Sequence, residues 1–134
     1  MRHLHLALTG TDTHWLDTVR EAVNSLNQAG TCHLTLTTPD PEHRVALGPD
    51  VLLIDATAEP NIAARVSEYT AAGWREIIVV AANPNWREAH ALLQGAGARD
   101  YWPKSYDVEA VRWRLAELLR EVAPAAPDDE EDSP

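Results

Sequence analysis

The stretch Pro49-Asp50-Val51-Leu52-Leu53-Ile54-Asp55 decides how this chain is read. Four consecutive apolar residues, Val51 to Ile54, mark a strand covered on both faces, as in parallel sheets packed between helices. Asp55 ends the run, which puts a carboxylate at the carboxyl edge of the strand, where open α/β sheets gather their ligands. A second stretch, Gly97-Ala98-Arg99-Asp100-Tyr101-Trp102-Pro103-Lys104, offers Tyr101-Trp102 as a short strand and Lys104 as a cation just beyond it.

Working outward from these two stretches, Leu4, Leu6 and Leu8 alternate with His3, His5 and Ala7, which predicts a strand with one face more apolar than the other. Asp12 or Thr13 can cap a helix whose apolar residues Trp15, Leu16, Val19, Val23 and Leu26 recur at helical spacing, with Gly30 as its stop. Cys32 to Thr37 reads as a second strand ended by the turn residues Thr38-Pro39-Asp40-Pro41, and only Glu42 to Leu47 is left for a short second helix. A third helix is expected from about Pro60 through Ile62, Val66 and Tyr69 to Gly73. Ile77 to Ala82 is another buried strand, and Asn83-Pro84-Asn85 offers two caps for a fourth helix ending near Gly95-Ala96-Gly97. The last helix, about Val108 to Val122, carries Val108, Val111, Leu115, Leu118 and Val122 on one stripe. Five strands alternating with helical segments predict a doubly wound α/β fold with a parallel sheet. Thr9-Gly10-Thr11, Asp55, Ala81-Ala82 and Lys104 then converge at the carboxyl ends of the strands.

Composition narrows the function. The 134 residues suit one domain, large enough to bury about two-thirds of its unfolded surface without metals or disulfides. The formal charge is −10, but Asp128-Asp129-Glu130-Glu131-Asp132 supplies five of the 21 acids, which leaves 16 acids against 11 bases elsewhere. That acidic body argues against nucleic-acid binding. Residues 1–122 are read as the domain and residues 123–134, built of Pro, Ala, Ser and acids, as a flexible acidic tail. One cysteine, Cys32, excludes an internal disulfide and suits a reducing cytoplasm, and no run of ~18 apolar residues suggests a membrane span. His3, His5, His14, His33, His43 and His90 fall in different elements and propose no zinc site. With no glycine-rich phosphate loop and no nucleophile elbow, the chain is not expected to be an enzyme.

Taken in order and spacing, the two quoted stretches resemble the receiver domain of two-component response regulators, over about Leu4 to Val122. The resemblance implies a flavodoxin-like, five-stranded parallel sheet of order 2-1-3-4-5. It makes Asp55 the phosphoacceptor candidate, Lys104 its lysine partner and Tyr101 the switch aromatic. It also implies magnesium held partly by an acidic pair after the first strand. Here that place is Thr9-Gly10-Thr11, which leaves Asp55, with Asp12 as a weak substitute, as the only candidate metal ligands. Asp12 reads better as a helix cap. The hydroxyl residue that the family places after its fourth strand is also missing, since Ala81 and Ala82 stand there.

Five Trp, three Tyr and no Phe make an unusual aromatic set. Trp86, Tyr101, Trp102 and Trp113 fall on the fourth helix, fifth strand and fifth helix, a face by which the resembling family forms dimers and docks partners. The expectation is an atypical, stand-alone receiver-like signalling domain that binds a protein partner or itself and carries an incomplete phosphoryl and magnesium site. The alternatives are a functional phosphoacceptor served by a sensor kinase through Asp55 and, more weakly, a small-molecule or anion sensor.

Overall fold

Alternating apolar patterns resolve into a single sheet flanked by helices, in a computed structural model that describes residues 2–30, 32–37, 51–58, 61–74 and 76–122. The expected short helix at 42–47, the start of the third helix at Pro60 and the tail at 123–134 lie outside the described residues. Strand β1 (Arg2–Leu8) is followed by helix α1 (Thr13–Ala29), then by β2 (Cys32–Thr37) and β3 (Val51–Asp55). After them come α2 (Ile62–Ala71), β4 (Glu76–Ala81), α3 (Trp86–Ala91), β5 (Asp100–Pro103) and α4 (Val108–Val122). All strand pairs are parallel, and the sheet runs β2-β1-β3-β4-β5.

The continuous run in β3 works because successive side chains point to opposite faces, so each face needs apolar residues. Val51 and Leu53 join Leu6, Leu8, Ile78, Val80 and Trp102 under α1 and α4. Leu52 and Ile54 join Ala7, Ile77 and Val79 under α2. Burying side chains of this size contributes roughly 1.5–3 kcal/mol each. In β1, Leu6 and Leu8 face the α1 and α4 layer, as the alternation predicts, and Ala7 is buried on the other face. Ala7 sits over the α2 side, where a small residue leaves room for the second layer.

Local chemistry sets the helix ends. Asp12, not Thr13, caps α1 by accepting the Trp15 N–H at 3.1 Å, and Gly30 closes it at a φ of 82°. Asn61 caps α2 by accepting the Ala64 N–H at 3.3 Å. Asn85 caps α3 by accepting from Arg87 and Glu88, and the helix widens into a π-helical turn over Leu92–Ala96 that Gly97 closes, near its expected end. Helix α4 keeps its expected bounds, with the Ala110 N–H bonded to Asp107 at 2.9 Å.

Candidate functional site

At the carboxyl edge of the sheet, Thr9 extends β1 by donating its N–H to the Leu53 carbonyl at 3.0 Å. Its hydroxyl accepts the Asp55 N–H at 3.1 Å. The hydroxyl therefore serves the backbone of β3 at the position where the resemblance implies an acidic pair. Gly10 follows at a φ of 101°, and a Cβ placed on it would lie 2.8 Å from the Asp55 Cβ and 2.9 Å from Oδ2. Asp55 occupies the room that a side chain at position 10 would need.

Asp55 is 2% exposed, and it is the one buried charged residue among the described residues. A buried carboxylate needs its oxygens paired. Oδ1 accepts the Thr57 N–H at 2.9 Å, an Asx-turn made possible by the spacing Asp55-Ala56-Thr57. Oδ2 takes the Lys104 ammonium at 2.7 Å. Lys104 is brought there by the sheet, because its backbone N–H continues the β4–β5 pairing onto the Ala81 carbonyl at 2.9 Å. That contact settles where the lysine stands despite Pro103 before it.

The same ammonium also meets Asp12 Oδ2 at 2.8 Å, so two carboxylates share one cation. The hydrogen bond from Lys104, followed by the one from the Trp15 N–H, holds the Asp12 carboxyl below its ordinary 3.8. Burial alone would pull the Lys104 ammonium down, but its bonds to Asp12 and Asp55 outweigh that and leave it above its ordinary 10.5. Asp12 thus caps a helix through one oxygen and binds the lysine through the other. No group of three or more His, Cys, Asp or Glu side chains suited to a metal occurs among the described residues.

Tyr101 is half-buried, and its hydroxyl donates to Glu88 Oε1 at 2.7 Å while accepting the Asn85 N–H at 3.2 Å. Burial first, and then the Glu88 bond, hold the phenol above its ordinary 10.0. The four-aromatic surface needs correcting. Trp102 is 1% exposed and lies in the core under α1 and α4, with its ring N–H bonded to Asp100 at 3.0 Å. Trp102 pairs with Val80 in register and Tyr101 with Val79, so the two rings point to opposite faces of the sheet. Trp86 and Trp113 are the exposed pair, at 74% and 57%. Arg87 and Arg114 stack over these rings at 5.7 and 5.6 Å.

The arrangement of sheet and helices is shared with solved structures. The signal receiver domain of NarL from Mycobacterium tuberculosis superposes with a TM-score of 0.68 at 13% identity, over 90% of this chain and 98% of that one. The chain has the receiver fold. The phosphorylated cyanobacterial phytochrome response regulator RcpA also gives 0.68, at 15% identity, over 92% of this chain and 96% of its own. HP1043, an orphan response regulator of H. pylori, gives 0.65 at 15% identity, over 89% and 96%. No family model and no curated protein matches the sequence. At these identities the receiver fold is shared as a backbone, while the chemistry at its edge has to be read from the residues of this chain.

Residues that sequence reasoning passed over are Thr57, the Thr9 hydroxyl, Asn85 and Glu88 as partners of Tyr101, and the Asp12 contact to Lys104. Only the Asp-x-Thr spacing carried a local signal for any of them.

Proposed function

We propose that the chain is an atypical receiver domain of signal transduction that acts by binding a protein partner or a second copy of itself, with Asp55 as the remnant of a phosphoryl site. The observation that carries this reading is the engagement of Asp55. Lys104 holds one oxygen at 2.7 Å, the Thr57 N–H holds the other at 2.9 Å, and Gly10 closes against the side chain. Phosphoryl transfer proceeds through electrostatic stabilisation of developing charge, and Thr9 and Gly10 provide no carboxylate toward it. The exposed Trp86 and Trp113, on the two helices that flank the edge strand β5, supply a surface for the partner. Among the described residues no helix is long and apolar enough to cross a membrane. The single cysteine fits a role in the cytoplasm.

A functional phosphoacceptor is the second reading, favoured by the retained contact between Asp55 and Lys104 at the strand ends. Incubation of the full chain with acetyl phosphate and magnesium, followed by intact mass measurement, separates the two. The proposed function predicts no adduct; an adduct that is lost in D55N would replace it with the phosphoacceptor reading.

A further inference from the structure

We infer that Lys104 is the resident cation of the Asp55 site, so that the chain supplies from its own sequence the positive charge that a divalent ion would otherwise bring. This rests on the receiver-like reading above and deepens it. Asp12 Oδ2 and Asp55 Oδ2 converge on one ammonium at 2.8 and 2.7 Å, from the start of α1 and the end of β3. The Lys104 side chain is 11% exposed, and its backbone is pinned by the Ala81 carbonyl, so the ammonium is delivered to that point by the sheet.

Magnesium does not fit the residues present. It requires oxygen ligands in near-octahedral array and usually one or two carboxylates. Among the described residues, the two carboxylates at this point have their converging oxygens on Lys104, and the Asp55 Oδ1 is turned to the Thr57 N–H. Gly10 supplies no carboxylate, and a side chain added there would press on Asp55 itself. A divalent ion on the same two oxygens would also stand against the ammonium and be repelled by it. The cation position is therefore filled by a group that cannot dissociate, and its occupancy does not follow the metal concentration.

Withdrawing the lysine charge exposes what the ammonium does. Without it, two carboxylates face one point with no cation between them, and a divalent ion becomes the simplest replacement. Thermal unfolding of the full chain would be followed with and without millimolar magnesium chloride at constant ionic strength, for wild type, K104M, K104Q and K104R. Wild type and K104R are expected to keep the same midpoint within about 1 °C, whereas K104M and K104Q gain at least about 3 °C from magnesium. D12N/K104Q is expected to lose that gain, since one carboxylate of the pair is gone.

Two results would overturn the inference. One is a saturable magnesium shift in wild type that D55N abolishes. The other is a response of K104M and K104Q no larger than that of wild type. Neither depends on whether a phosphate adduct forms, so a failure here is separable from a failure of the proposed function.

Discussion

Gly10 faces the Asp55 side chain, and a Cβ on the glycine would come within 2.8 Å of the aspartate Cβ. Gly10 also holds a φ of 101°, which side chains rarely adopt. G10A is therefore expected to destabilise the domain by about 1–3 kcal/mol, and G10D, which restores an acid to the edge, by at least as much. Urea midpoints at constant slope measure both. A G10D protein as stable as wild type would mean that the loop can open to admit a ligand.

Asp12 separates cleanly into two roles. Asparagine caps helices about as well as aspartate, so D12N removes the charge facing Lys104 while keeping the Trp15 bond. D12A removes both. D12A is expected to lose about 1 kcal/mol more than D12N, read from the difference in chemical unfolding.

The acid and alkaline limbs of stability follow from the same cluster. The folded-state value of Asp12 lies below its ordinary 3.8, so its contribution is complete above that pH and is lost as pH falls through the lowered value. Lys104 lies above its ordinary 10.5, so its contribution is complete below that pH and is lost as pH rises through the raised value. D12N should lower the neutral plateau and flatten the part of the acid limb below pH 3.8, as checked by unfolding at a series of pH values.

Asp55 is buried with its cation, so removing the cation leaves a charge without a partner. K104M is expected to cost about 3–5 kcal/mol. D55N/K104M should recover part of that loss, and the double-mutant cycle gives the coupling. Additive losses would show that the two side chains contribute separately.

Trp102 and Trp113 should respond in opposite ways. W102A opens a cavity in the core under α1 and α4 and is expected to cost about 3–5 kcal/mol. W113A, at a ring 57% exposed, should change stability by no more than about 0.5 kcal/mol. If the proposed surface is correct, W113A weakens self-association or partner capture, measured by light scattering or pull-down, without lowering the unfolding midpoint.

Periodicity made α4 legible to the residue, because its stripe from Val108 and its cap Asp107 are local signals. Strand β3 was equally plain, since both of its faces are covered and every position from Val51 to Asp55 is buried. The pairing of Asp55 with Lys104 was foreseen from the resemblance, but the second partner of the lysine was not. Asp12 and Lys104 stand 92 residues apart, and a cap reading of Asp12 accounts for only one of its two oxygens. Trp102 was placed on the surface with Trp86, Tyr101 and Trp113 because its strand belongs to the face by which the resembling family docks partners. Which face a ring takes depends on register, here the pairing of Trp102 with Val80, and register cannot be read from composition. The Gly10 contact depends on a positive φ that many sequences around a glycine would tolerate.

The separation between Asp12 and Lys104 also bears on how the chain reaches its final form. When the first helix and third strand have been made and the last strand has not, Asp12 and Asp55 are present without the ammonium that joins them. Contacts this distant in sequence carry the largest loop-closure cost and are among the last to repay it. The charge balance of the site is thus completed only from the far end of the chain: the two acids have no common partner until residue 104 is in the sheet.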